Sequence, residues 1–236
     1  MPDSIATSDH AAQLEELLGL KGLELRINLS KDELFDEAIA NDRGRIREGG
    51  PDDEQKCYST KLGKEGPLVF YTDPTCTGRP VKDTFGVARE SIIDKVWWKP
   101  DFQQFDPEKF DALVDRVVAH LNERGVHMYV KDLYCGSDPS YARPYRIVSE
   151  YAAHQYFCDN MFPKDIEGVD DENSKRWTIL NVPSYHCDPE RDGTPNNRIA
   201  AIDFERQLAL VCGRADYCGV NKKSMFTVMN YLLPEL

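Results

Sequence analysis

The sequence predicts an α/β protein built on a mixed sheet flanked by helices. Three observations carry that expectation. Phe110, Leu113, Val114, Val117, Val118 and Leu121 recur at helical spacing, between a start at Asp106-Pro107 and a stop at Gly125. The apolar run Val126 to Leu133 follows at once and reads as a strand, so the unit is helix to strand. The runs 177–182, 198–204 and 208–212 read as three more strands. With 236 residues, 41% hydrophobic and 30% charged, the chain can bury a core as one large domain or two small ones.

The remaining elements follow in order. Residues 1–7 carry no pattern and read as disordered, and Asp9 to Leu18 reads as a short amphipathic helix ended by Gly19. Ser30 with Glu33 forms a capping box that opens a helix to about Asn41. Residues 42–66, rich in Gly, Asp, Glu and Lys, read as irregular. Leu68 to Tyr71 reads as a short buried strand leading into a loop with Thr77, Gly78 and Arg79. The aromatic-rich stretch 148–161 reads as mostly helical. At the end, Met225, Val228, Met229 and Leu232 share one helical face.

Charge narrows the partners. A formal net charge of -12 disfavours nucleic acid and anionic membrane surfaces. An anionic substrate would have to be met by a local basic cluster, which draws attention to Arg79, Lys82, Lys222 and Lys223. Lys222 and Lys223 directly precede the last apolar run. A helix start is already positive, so cations there cost stability unless an anion faces them. Gly219 just ahead lets backbone approach a ligand. The seven cysteines are odd in number and form no C-x-x-C pair, which reads as reduced thiols rather than a disulfide framework or zinc site. Cys218 beside the lysines reads as a small packing residue. With no signal-like N-terminus and no run of membrane-spanning length, a cytoplasmic location is expected.

Several collinear blocks resemble the ATP-dependent phosphoenolpyruvate carboxykinases over roughly residues 33–236. The family pattern Y-x-G-E-x-K-K-x-M-F-x-x-M-N-Y-L-L-P is met by Tyr217, Gly219, Lys222, Lys223, Met225, Phe226, Met229, Asn230, Tyr231, Leu232, Leu233 and Pro234, with Val220 in place of Glu. Thr77 to Asp83 is similar to T-G-R-S-P-K-D, with Pro80 and Val81 replacing Ser and Pro. Tyr134 to Pro139 is similar to F-C-G-A-N-P. Asp94 to Trp98, Arg146 to Glu150 and Asn160 to Phe162 add three shorter blocks.

The resemblance implies conversion of oxaloacetate and ATP to phosphoenolpyruvate, carbon dioxide and ADP. Arg79 would grip a substrate carboxylate, a planar bidentate task for which arginine suits better than lysine. Lys223 would be the metal ligand and contact the ATP phosphates; Tyr217, Gly219 and Lys222 would contact substrate. The metal is expected to be manganese or magnesium. A lysine amine ligates only without its proton, and a neighbouring cation such as Lys222 favours that form.

The resemblance also implies residues 30–236 as the N-terminal, substrate-binding domain, with 1–29 as an extension. No G-x-x-x-x-G-K-[ST] phosphate loop occurs in the 236 residues. A nucleotide-binding domain or partner chain is therefore expected to complete the site. The chain by itself is expected to bind ATP poorly and to be inactive. It reads as part of a longer enzyme, one half of a split enzyme, or a non-catalytic anion-binding module. His154 and His186 read as hydrogen-bonded structural residues. Arg143 and Arg146 would either bind a second carboxylate or support the loop near Asp138. The acidic run 165–172 lacks EF-hand spacing and reads as a surface loop.

Overall fold

A computed structural model describes residues 4–42, 58–64, 66–72, 81–99, 102–169, 176–213 and 217–235. In chain order these form α1 (Ser4–Leu18), β1 (Leu25–Ile27), α2 (Lys31–Asn41), β2 (Tyr58–Lys61), β3 (Leu68–Tyr71), β4 (Thr84–Val87) and β5 (Gln103–Phe105). Then come α3 (Pro107–Arg124), β6 (Met128–Cys135), β7 (Arg143–Ser149), α4 (Ala152–Met161), β8 (Trp177–Val182), α5 (Pro189–Asp192), β9 (Ile199–Asp203), β10 (Leu208–Cys212) and α6 (Gly219–Leu232).

Eight strands make one mixed sheet in the order β1-β6-β7-β8-β10-β9-β4-β5, as the α/β expectation requires. Only β6 with β7 and β10 with β9 pair antiparallel; the other neighbours run parallel. The strands near the middle are apolar on both sides, as a sheet covered on both faces demands. Alternation sorts them: Leu208, Leu210 and Cys212 enter the core under α1 and α3, while Ala209 and Val211 enter the core under α4 and α6. Asp106 caps α3 by accepting from the Lys109 amide at 2.9 Å, and Phe110, Leu113, Val117 and Leu121 are fully buried.

The structure corrects several sequence expectations. Helix α1 begins at Ser4, not Asp9, so it overlaps residues read as disordered. Within 42–66, Tyr58–Lys61 is a strand that pairs with β3 as a separate two-stranded ribbon; β3 is half-buried rather than buried. Residues 143–149 form β7, and the helix read over 148–161 begins only at Ala152. Ile147 and Val148 belong to β7, which sits between β6 and β8, where branched side chains favour a strand. Strands β1, β4 and β5 have three or four residues each, too few to show a period.

Helix α4 is started by a residue far away. Asp42, fully buried at the end of α2, accepts from the amides of Ala152 at 3.0 Å and Ala153 at 2.9 Å, and from Ser59 Oγ at 2.9 Å. A carboxylate thus satisfies the free N–H groups of a helix whose own N-cap residue, Tyr151, supplies none.

Candidate anion-binding site at the start of α6

Strand β10 ends at Cys212, and α6 opens at Gly219. The glycine is therefore the first helical residue, not a turn ahead of the helix. Lys222 and Lys223 occupy its fourth and fifth positions. This corrects the electrostatic argument from sequence, because the helix dipole acts mainly within the first turn. The first turn holds no acidic residue, and Cys218 caps it with no side-chain bond. The Val220 amide is already spent on the Tyr217 carbonyl at 3.0 Å, so an anion here would have to be met by the remaining first-turn amides.

Tyr217, half-buried, folds back over this turn. A Cβ placed on Gly219 would lie 2.5 Å from the Tyr217 Cζ and Oη, so the absence of a side chain seats the ring. Lys223 Nζ stands 5.2 Å from the same ring centroid, within cation–π range. Lys222 is exposed, and adjacent helical residues do not face each other, so the two ammonium groups leave the helix in different directions. Val220, where the family pattern has Glu, is buried in the apolar cluster beneath α6. Cys218 Sγ lies 3.9 Å from the Ala153 carbonyl.

Beneath the turn runs a buried polar chain. Asn181 Nδ2 donates to Asn221 Oδ1 at 2.9 Å and lies 3.2 Å from His154 Nδ1. His154 meets Phe70 and Tyr151 edge-on. It is a packed core residue that links α4 to β8.

The loop block falls partly outside the described residues: Thr77, Gly78, Arg79 and Pro80 lie there. Its exit is described. Lys82 is exposed, whereas Asp83 is buried and accepts from Asn196 Nδ2 at 2.5 Å and Arg198 Nε at 2.7 Å. The sheet relates this exit to α6. Thr84 pairs with Ala200 and Ile199 with Cys212, so β4 starts where β10 ends, on one edge of the sheet. Two strand spacings separate them, about 10 Å. That edge also carries the C-terminal ends of β7 and β8, a position where ligands bind in open α/β sheets. The stem between the two segments is tight. A Cβ on Gly213, which has φ +68, would lie 1.8 Å from the Asn197 carbonyl oxygen, the acceptor of the Cys187 amide at 2.9 Å.

Other candidates resolve differently. Arg146 holds Asp132 with Nε at 2.7 Å and Nη2 at 3.1 Å, and gives Nη1 to Gln13 at 3.0 Å. It supports neither the Asp138 loop nor an open carboxylate site. Arg143 does touch that turn, through the Ala142 carbonyl at 2.8 Å. Asp165 and Glu167 are exposed. Ser184 Oγ lies 2.9 Å from His120 Nε2 and donates to Glu150 Oε1 at 2.6 Å. Because the hydroxyl proton points to Glu150, the imidazole donates to Ser184 and cannot act as its base. Burial first, then Arg124 and His186, lowers the His120 pKa to about 4.

The five described cysteines are free thiols, with Cys187 and Cys212 Sγ atoms 3.5 Å apart. Among the described residues no group of three His, Cys, Asp or Glu can hold a metal, and none of their helices is long and apolar enough to cross a membrane. At α6 the described residues offer a divalent ion one amine, Lys223, and no carboxylate or imidazole set. These residues do not form a metal site by themselves. The partners that sequence reasoning missed, Asp42 for α4 and Asn196 with Arg198 for Asp83, act across the fold and leave no local signal.

The family model of phosphoenolpyruvate carboxykinase, ATP type, matches residues 24–236. The chain is 43% identical over 179 residues to the phosphoenolpyruvate carboxykinase (ATP) of Thermus thermophilus, covering 74% of this chain and 33% of the relative. It is 33% identical over 217 residues to that of Deinococcus radiodurans, covering 92% and 42%. It is 34% identical over 227 residues to phosphoenolpyruvate carboxykinase (ATP) 1 of Salinibacter ruber, covering 96% and 39%. The chain thus spans about a third to two fifths of the length of these curated relatives. A match that runs unbroken from the first strand through α6 makes the chain a member of the phosphoenolpyruvate carboxykinase family.

Proposed function

We propose that this chain is the substrate-binding part of an ATP-dependent phosphoenolpyruvate carboxykinase, acting on oxaloacetate to give phosphoenolpyruvate in gluconeogenesis. The observation that carries the reading is the Tyr217, Gly219 and Lys223 cluster at the start of α6, on the sheet edge from which the Arg79 segment enters β4. Within this reading residues 30–236 form the substrate-binding domain, and residues 1–29 lead into it and contribute β1 to its sheet. A nucleotide-binding domain, in the same polypeptide or in a partner, supplies the ATP site.

The residues then divide the work. Arg79 grips one substrate carboxylate through a bidentate pair. The Gly219 backbone, Tyr217 and the Lys222 charge contact the rest of the dicarboxylate. Lys223, as a neutral amine, would be one ligand of a metal beside the enolate oxygen and the transferred phosphate, where positive charge lowers the barrier. A divalent metal, manganese or magnesium, would supply Lewis acidity and neutralise phosphate charge. Among the described residues at α6 Lys223 alone would ligate it, so the reading takes further ligands from the complementary domain. The reading places the protein in the cytoplasm.

The test joins these 236 residues to the complementary portion of the Thermus thermophilus relative and follows phosphoenolpyruvate formation from oxaloacetate, ATP and manganese. The chimaera is expected to turn over, its Lys223→Ala variant to be inactive, and the 236-residue chain alone to form no product. A folded chimaera that binds ATP yet forms no phosphoenolpyruvate overturns the proposal.

A further inference from the structure

A second concave site lies one to two turns further along α6. One wall comes from the segment after β4, with Lys95, Trp97, Lys99 and Phe102; the other comes from Thr227, Asn230 and Tyr231. By the helical rise these α6 residues start about 6 Å from Lys223 and reach about 12 Å from it along the axis. The cavity measures about 490 Å³, within the range of small-molecule sites.

Its shape is built, not incidental. Trp98 and Phe102 stack with planes 7° apart, Phe102 meets Phe204 edge-on, and Phe204 lies 4.4 Å from Tyr231 between centroids. The Trp98 indole N–H donates to the Ile93 carbonyl at 2.8 Å. Lys99 and Phe102 exchange backbone hydrogen bonds at 3.2 and 3.0 Å. These contacts hold the outer wall without any ligand. Trp97 nevertheless remains 79% exposed, with Lys99 Nζ 3.8 Å from its ring centroid. A large indole kept at a cavity mouth is a stacking surface in search of a flat partner.

The charge of the lining is the second observation. Among the described residues it includes Lys95 and Lys99 and no carboxylate, in a chain whose net charge is -12. Cations clustered beside exposed aromatic faces suit a ligand that combines a planar ring with a negative group. We infer that this cavity binds a small planar aromatic anion, either a nucleotide or an aryl carboxylate, stacked on Trp97 and paired with Lys95 and Lys99. The inference does not depend on the proposed carboxykinase activity.

Calorimetric titration of the 236-residue chain separates the possibilities. AMP and indole-3-acetate serve as the two ring-bearing anions, adenosine as a ring without charge, and ribose 5-phosphate and acetate as anions without a ring. At least one ring-bearing anion is expected to bind with Kd below about 1 mM, roughly tenfold tighter than its partial counterparts. Which of the two binds identifies the source. Trp97→Ala and Lys99→Glu, at exposed positions that leave the fold intact by circular dichroism, should each weaken that binding about tenfold. Failure of both ring-bearing anions to bind overturns the inference. So does binding that neither variant alters, or binding matched by ribose 5-phosphate or acetate.

Discussion

Lys223 Nζ stands 5.2 Å from the centroid of the Tyr217 ring, which is seated where a Cβ on Gly219 would lie 2.5 Å from its Cζ and Oη. The ring gives the ammonium group a fixed place at the start of α6. In the chimaeric enzyme Lys223→Arg keeps a cation over the ring but cannot ligate a metal. It should lose kcat and manganese affinity nearly as far as Lys223→Ala, on the order of 100-fold for a contact to developing charge. Lys222→Arg should be mild, since its role is charge alone. Retained activity in Lys223→Arg would reduce Lys223 to a simple cation.

Gly219→Ala probes the seat of the tyrosine. The added methyl would collide with the end of a side chain, not with backbone, so the ring can swing away. Thermal stability should change by less than about 1 kcal/mol. Oxaloacetate kcat/KM in the chimaera should nevertheless fall, because Tyr217 leaves its place. A variant with unchanged kinetics would show that the ring position is irrelevant to substrate.

Arg79→Lys removes a bidentate carboxylate contact worth roughly 1.5–3 kcal/mol. In the chimaera this should lower kcat/KM for oxaloacetate by about 10–100-fold and leave the ATP Kd unaffected. Steady-state kinetics with each substrate varied in turn checks it.

Asp42→Ala should destabilise the chain by about 2–3 kcal/mol, since it strips two helix-start amides and a hydroxyl of their acceptor in the core. Asp42→Asn, which keeps an acceptor oxygen, should cost less. Urea denaturation followed by circular dichroism gives both values.

His120 makes stability depend on pH. Its pKa falls from the ordinary 6.5 to about 4 on folding, so the unfolded chain takes up the proton first. Its stabilising contribution is complete above pH 6.5 and is lost as pH falls toward 4. Other groups also titrate there, so the readout is a difference. Wild type minus His120→Gln should decline in urea midpoint across that window and stay level above it. A flat difference would show that His120 keeps its ordinary protonation in the fold.

Long, self-contained elements were legible in the sequence, and those defined by distant partners were not. Helix α3 carries its cap, its proline, its apolar stripe and its stop within twenty residues, and the capping box at Ser30 is equally local. Strand β7 was missed, and its last residues Val148 and Ser149 were read into the following helix, because Tyr145, Ile147 and Val148 are apolar without alternation, the pattern of a strand covered on both faces. The start of α4 depends on Asp42, some 110 residues upstream. At the site, the motif residues at 217–223 could be named from sequence, but not the seating of Tyr217 on Gly219, nor the separate directions of Lys222 and Lys223.

The contact of Gly213 with Asn197 makes one stem serve both the segment before β4 and the start of α6. Asn196 and Arg198, which flank Asn197 in the chain, clamp Asp83 just before β4, while Gly213, packed against Asn197, precedes Tyr217 by four residues. A single methyl at 213 would press on backbone that has no free end to yield, and the push would pass to the carboxylate clamp of a loop two strands away. The segment before β4 and the start of α6 therefore share one mechanical foundation, and neither can be re-aimed by mutation without disturbing the other.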